Sequence, residues 1–450
     1  REVAAAIRVA TAPDFTISLR ISGEERDIDA LDPSETLSAC RTIDAAGIVD
    51  VFHVIAGTSA SLAGAIHIVP PMFYEAGYTA PFAAQVTKAV QKPVIVTGRI
   101  NQPQIAEQIL RSGQAHLCGM TRAMICDPEM PAKARTDRVD DIRACIGCNQ
   151  ACIGHFHRGY PISCIQYPET GRELTLAAGK IATAQPQRIL VAGGGPAGLK
   201  AAATLAARGH HVTLCEAAAQ LGGQALLAQL LPGRAEFGGL ITNLAHEARQ
   251  AGVTIRLNTP VTLDLVQQEA PDRVIIATGA QPRRPEIESD GAHVLDAWQI
   301  LRGEANPGAR VVIADWRGDW IGMGLAEKLA RDGCTVRLCV EGIAAGESLP
   351  LYVRDEMVAR LHGLGVDIRP YCRLFGADGD TVYFTHSANG APILAEGTDT
   401  LVLAQGHLPD ARLAEDLAPW TGPVQVIGDA LTPRSAEEAV LEGLKIGIMD

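Results

Sequence analysis

Four cysteines share the segment CIGCNQACIGHFHRGYPISC: Cys145, Cys148, Cys152 and Cys164, spaced C-x2-C-x3-C-x11-C. One tight turn can present the first three sulfurs, and the fourth returns after a loop. Four soft thiolates around one point fit a cubane 4Fe–4S cluster, which takes cysteine sulfur as its ligand. The rival reading is structural zinc, with His155 or His157 completing a mixed site. The second C-x2-C knuckle usual in zinc sites is absent, and the third cysteine at x3 suits a cluster better. A cluster passes single electrons, so it implies a two-electron partner such as a flavin on at least one side.

A second chemical signal begins at Arg188. RILVAGGGPAGLKAAATLAARGHHVTLCEA reads as strand, glycine turn, helix, strand and terminal acid. Gly193 permits the tight turn, Gly195 lets bare backbone approach a pyrophosphate, and Gly198 lets helix and strand pack closely. The helix N-terminus attracts the phosphates, and Glu216 is placed to accept ribose hydroxyls. ATGA (277–280, with Gly279) and VIGDA (426–430, with Gly428 and Asp429) supply the further contacts expected when the dinucleotide is FAD. Asp429 also reads as a helix N-cap. A later strand–turn–helix, VVIADWRGDWIGMGLAEKLA, is irregular: Gly318, Gly322 and Gly324 are spaced G-x3-G-x-G, and Trp316 and Trp320 stand where bare backbone would meet a phosphate. A nicotinamide cofactor, NAD(P)H, fits that turn poorly.

A third set lies nearer the start. Gly98-Arg99 ends one strand and Met120-Thr121-Arg122 ends the next. At the last strands of a barrel this is the usual phosphate position, so Gly98, Arg99, Thr121 and Arg122 point to FMN. Arg20, ending an earlier strand, is placed to face the flavin pyrimidine. Taken singly, each arginine also reads as a solvated salt bridge. The loop 57–79 is long and roofs the site, with His53 and His67 as candidates for proton transfer and Tyr74 or Tyr78 as pocket walls. Of the two, His67 is the catalytic candidate; a merely packed or exposed histidine is the alternative.

The elements that must position these groups follow from periodicity. Residues 1–135 alternate strands (14–22, 49–57, 93–100, 115–123) with helices (33–46, about 80–90, 103–112). That is the rhythm of a parallel α/β sheet, and four such units make the C-terminal half of a TIM (β/α)8 barrel. The domains read as a partial FMN barrel over 1–144, a cluster loop and linker over 145–180, an FAD (or ADP) Rossmann-like region over 181–305 completed by 400–450, and an NAD(P)-type region over 306–399. Together the last two resemble a two-part disulfide-reductase arrangement. The chain opens on an amphipathic helix without Met and closes inside a helix, and so reads as the middle of a larger protein.

Over 450 residues, hydrophobic content is 47% and net charge is −12, which argues against nucleic acid and anionic membranes as partners. No apolar run is long enough to span a bilayer. Most of the cysteines outside the motif read as small buried hydrophobes of a reducing cytoplasm.

TGRINQPQIAEQIL, MTRAMICDPEMPAKA, DDIRACIGCNQAC and RILVAGGGPAGLKAA, in this order, resemble the iron–sulfur flavoprotein family of 2,4-dienoyl-CoA reductase and trimethylamine dehydrogenase, relatives of old yellow enzyme. The resemblance implies FMN at Arg20, Arg99, Thr121 and Arg122 and a cluster on the four cysteines. It also places Ala197, Glu216, Gln224, Arg234 and Val261 along the FAD site. The irregular second turn is similar to that of the amine dehydrogenases, which pass electrons to a separate flavoprotein, and PISCIQYPETGRE is similar to demethylases of dimethylglycine or N-methylproline. The resemblance thus implies oxidative demethylation of an N-methylated amine or amino acid, with an external acceptor such as an electron-transfer flavoprotein. The alternatives are an NAD(P)H-dependent reductase of an activated C=C bond and an inactive electron-transfer fragment. Substrate, direction of electron flow and oligomeric state stay open.

Overall fold

The computed structural model describes residues 1–176 and 182–449, and the chain divides into two compact units, Arg1–Asn149 and Gln150–Asp450. The domain boundary expected at 180/181 lies outside the described residues.

In the first unit, strands Ser18–Ser22, Val51–Ile55, Val94–Thr97 and Leu117–Gly119 form one parallel sheet in chain order. Their alternation decides the faces. Phe52, Val54, Val94 and Val96 are buried under helices Pro33–Ala45, Ala80–Ala89 and Pro103–Arg111, with Cys40, Ala83, Val86 and Ile109 in the same core. Burying such side chains supplies the main stabilisation, about 1.5–3 kcal/mol each. The opposite face carries Arg20, His53 and Thr97. The sequence DPSE starts the first of these helices by a capping box: the Asp32 carboxylate accepts from Ser34 N (2.7 Å) and Glu35 N (2.9 Å), and Glu35 accepts from Asp32 N (3.0 Å). The roofing loop contains one further short helix, Leu62–Ile66.

The second unit holds two lobes. The first is a five-stranded parallel sheet in the order Val424–Val426, Arg273–Ile276, Arg188–Ala192, His211–Cys215, Thr254–Arg256. Helix Pro196–Ala207 packs on helix Ala436–Ile448, where Gly443 and Gly447 let the two approach closely; a Cβ at Gly443 would run into the Ala197 carbonyl. The second lobe is a parallel sheet in the order Val294–Asp296, Thr400–Ala404, Arg310–Asp315, Thr335–Val340, Asp367–Arg369. It therefore draws in strands from both sides of 306–399. A three-stranded antiparallel sheet, Cys372–Asp378, Thr381–His386 and Pro392–Ala395, covers it. The chain passes between the lobes through Ala280–Pro282 and back through His407–Pro409, which pair with each other. Outside the motif, Cys40, Cys126, Cys215, Cys339 and Cys372 are buried and Cys118 and Cys334 partly so. Among the described residues, no helix is long and apolar enough to cross a membrane.

Candidate functional site

In the first unit, strand register sets Arg20 beside His53. Arg20 Nε lies 3.4 Å from His53 Nδ1, and His53 Nε2 lies 2.7 Å from Thr97 Oγ1. These three residues form one polar chain across the bare sheet face. The strand ends are tight: a Cβ at Gly98 would strike Thr79, and one at Gly119 would strike Thr97. Arg99 follows with a positive φ of 52° and is 6% exposed. Its guanidinium lies against Gly147, inside the cysteine turn. Arg122 Nη1 donates to Pro70 O (2.9 Å) and Asn149 Oδ1 (2.7 Å), and Thr121 opens the helix Thr121–Cys126. The structure thus brings Arg99 and Arg122 to the turn 147–149 and leaves Arg20 on the exposed face.

His67 caps helix Leu62–Ile66. Its ring meets Tyr74 edge-on at 4.8 Å and Tyr78 at 6.0 Å, and Tyr78 Oη donates to the His67 carbonyl (3.0 Å). Burial, helped by Arg26, lowers its pKa to about 4. The imidazole is therefore neutral at pH 7 and is no reservoir of protons there.

The unit boundary falls inside the cysteine motif. In the first unit, Gly147 N–H points at Cys145 Sγ (3.5 Å) and Asn101 Nδ2 donates to Cys145 O (2.6 Å). In the second, Ser163 N donates to Ala151 O (2.7 Å), pairing the neighbours of Cys152 and Cys164. All four cysteines are partly buried. An amide aimed at the Cys145 sulfur suits a thiolate ligand. The histidines of the segment are drawn elsewhere. His155 Nε2 meets Glu437 Oε1 (2.9 Å) and its Nδ1 meets Pro161 O (2.9 Å), while the His157 ring lies 4.7 Å from Tyr352.

In the first lobe, Gly193 has φ +112°, a conformation that favours glycine, and a Cβ at Gly198 would run into the Gly193 carbonyl oxygen. Nothing lies within 4 Å of a Cβ built on Gly195. The turn therefore leaves an open seat at the N-terminus of helix Pro196–Ala207. Glu216 accepts from Gly194 N (2.7 Å) and Ala218 N (2.8 Å), so it also shapes the turn. Gln224 Nε2 donates to Asp429 Oδ2 (3.0 Å), and burial raises the Asp429 pKa. A cavity of about 1130 Å3 runs along Gly193, Gly195, Ala197, Glu216, Gln224, Arg234, Val261, Gly279 and Asp429 and continues to Trp298 and Trp320. Gly198 and Gly428 lie behind it; a Cβ at Gly428 would meet Ala197. Arg234 is 3% exposed, its guanidinium 4.8 Å from Phe237 and 4.9 Å from Trp320. These residues fit an adenine dinucleotide or its ADP part.

The second lobe differs at the same place. Asp315, 2% exposed, ends its central strand and accepts from Gly318 N at 3.0 Å. A Cβ at Gly322 would run into the Asp315 carboxyl. Asp319 caps helix Trp320–Arg331 by accepting from Ile321 N (2.8 Å). Ser348 N and Oγ both donate to Gly318 O (3.1 and 2.7 Å), tying the turn down. Sequence reasoning missed both carboxylates: sheet register is what sets Asp315 at the helix start beside Asp319. Burial, and then the charge of Asp319, raise the Asp315 pKa from 3.8 to about 8. The native state therefore holds a proton that the unfolded chain releases, a contribution present below pH 3.8 and lost as pH rises through about 8. Asp315→Asn should flatten that fall. In urea melts the variant should gain on the order of a few kcal/mol over wild type at pH 8 relative to pH 5. Parallel pH profiles would exclude a protonated Asp315.

Residues 1–141 match the family model of the NADH:flavin oxidoreductase / NADH oxidase family, and residues 187–425 that of pyridine nucleotide-disulphide oxidoreductase. A metal reductase of Desulforamulus reducens is 34% identical over 98% of this chain and 69% of its own length. The N,N-dimethylglycine/sarcosine dehydrogenase of Chromohalobacter salexigens is 35% identical over 79% of this chain and 53% of its own length. Histamine dehydrogenase from Rhizobium sp. 4-9 superposes with a TM-score of 0.91 at 25% identity, over 99% of this chain and 67% of that one. The chain thus spans about half to two thirds of these relatives. With a flavin oxidoreductase module and a nucleotide-disulphide oxidoreductase module in one polypeptide, the chain belongs to the oxidoreductase family of 2,4-dienoyl-CoA reductase and trimethylamine dehydrogenase.

Proposed function

We propose that this chain is part of an FMN-dependent oxidative demethylase of an N-methylated amine or amino acid that passes its electrons through a 4Fe–4S cluster to an external acceptor. The observation that carries this reading is the second lobe's turn. Its helix N-terminus is capped by Asp319 and its turn is tied to Ser348, whereas the first lobe's turn is open at Gly195. On this reading the first lobe takes the nucleotide, the second takes no NAD(P)H, and the substrate supplies the electrons. The 35% identity to dimethylglycine/sarcosine dehydrogenase supports an N-methyl substrate.

Arg20, Gly98, Arg99, Thr121 and Arg122 would hold FMN, Cys145, Cys148, Cys152 and Cys164 the cluster, and the turn 193–198 with Glu216 and Asp429 FAD or ADP. When bound, FMN supplies a two-electron acceptor and the cluster a one-electron relay. In the net reaction the N-methyl amine and water give the demethylated amine and formaldehyde, with release of two protons and two electrons. His67, neutral and walled by Tyr74 and Tyr78, serves as a hydrogen-bonding group that orients the amine rather than as a general acid.

The test is anaerobic mixing of the full-length enzyme with millimolar dimethylglycine or N-methylproline, and separately with NADH or NADPH. Bleaching of the flavin by an amine, with formaldehyde formed, is expected. Bleaching by a nicotinamide nucleotide with none by any N-methyl amine would replace this reading with an NAD(P)H-dependent C=C reductase.

A further inference from the structure

The two lobes of the second unit can be aligned by register alone. Ala192 pairs with Cys215, the residue before Glu216. Asp315 pairs with Val340, the residue before Glu341. Asp315 is therefore the counterpart of Ala192, and Glu341 that of Glu216. The helices that follow are capped by Gly195 and Asp319, and Gly198 and Gly322 are the third helical residue of each. Three residues (193–195) separate strand and helix in the first lobe and four (316–319) in the second.

We propose that Asp315 and Asp319 are specificity-determining residues that shut a nicotinamide dinucleotide out of the second lobe, which otherwise keeps the plan of an NADH site. The inference rests on the reading above, in which NAD(P)H is not the electron source, and names the residues responsible.

A pyrophosphate at a helix N-terminus needs free N–H donors, an approach to bare backbone and no competing anion. In the first lobe Gly194 N–H goes to Glu216, but the backbone at Gly195 stands bare at the helix start. In the second lobe two donors go to carboxyl groups at the helix start itself: Gly318 N–H to Asp315 and Ile321 N–H to Asp319. Asp315 Oδ2 has no hydrogen-bond partner among the described residues and is pressed against Gly322, where the helix begins. Arg317, the cation of the turn, is held by Asp319 (Nε–Oδ2 3.3 Å). The protein's own carboxyl groups thus occupy the phosphate seat. Glu341 remains at the strand end where an acid accepts ribose hydroxyls and repels a 2′-phosphate. A reopened seat should therefore take NADH in preference to NADPH.

The test is titration of the full-length holoenzyme, its first nucleotide site filled, with NADH and NADPH, read by energy transfer from tryptophan. The variant Asp315→Ala/Asp319→Gly restores the first lobe's residues at both positions. It should bind NADH at least about tenfold more tightly than wild type, and NADPH about tenfold more weakly than NADH. A folded double variant whose NADH affinity stays within about threefold of wild type would overturn the proposal, as would equal affinity for the two nucleotides. Should the double variant not fold, Asp319→Gly alone, which leaves the buried Asp315 in place, must raise NADH affinity at least about threefold. Wild-type enzyme that binds NADH and is reduced by it would instead overturn the demethylase reading itself.

Discussion

Gly198→Val should empty the first nucleotide site. A Cβ there would run into the Gly193 carbonyl oxygen, with the Ala277 Cβ 3.2 Å away. Neither is the far end of a flexible side chain, so the helix Pro196–Ala207 must lift off the strand. That moves the open seat at Gly195 out of line with Glu216. Overpacking at such a point costs about 1–3 kcal/mol of stability. The loss of nucleotide should be larger, about a hundredfold in affinity. The measurement is the adenine nucleotide released on denaturing purified protein, together with a thermal melt. Gly363→Ala is the control. Gly363 ends helix Leu351–Gly363 with open space around its Cβ position, so the change should leave the nucleotide in place and stabilise by up to about 1 kcal/mol. Full nucleotide content in Gly198→Val would show that the turn does not hold the ligand.

Cys152→Ala should remove the cluster and with it the path for single electrons. The reasoning is one of ligand count: with three thiolates left, a cubane has an open iron and is lost during purification. Iron and acid-labile sulfide should fall from about four atoms each per chain to near zero, with loss of the brown colour under oxygen-free handling. Turnover with the external acceptor should fall by at least about a hundredfold, while substrate still bleaches the flavin once. Cys334→Ser is the matched control, since Cys334 lies in the second lobe with its thiol directed at Gly308 O (3.6 Å). Loss of iron in Cys334→Ser as well, or full iron in Cys152→Ala, would break the assignment.

The second lobe shows where reading the chain stopped short. Its irregular glycines and two tryptophans were visible as a broken fingerprint, which is enough to doubt a nicotinamide cofactor. What takes the cofactor's place was not visible. Asp315 lies at a strand end, and sheet register sets it beside the helix start. Arg99 and Arg122 read as strand-end cations aimed at a phosphate. In the folded unit they also reach the turn 147–149, through Gly147 and Asn149. The limits of the second sheet were missed in the same way, because Val294–Asp296 and Thr400–Ala404 come from opposite ends of a long insertion and meet only by pairing with Arg310–Asp315 or with each other.

The amino-acid order alone determined the parts whose physics is local. These are the glycine turn after Arg188, the strand–helix alternation before residue 135 and the crowded cysteines. In each, the deciding contacts lie within a few residues or one supersecondary unit, so residue type and spacing suffice. Only the tertiary structure decided which dinucleotide turn is open, where His67 loses its proton, and that His155 answers to Glu437. Those outcomes depend on burial and on charges brought together from distant segments, and neither is written in the spacing of neighbours along the chain.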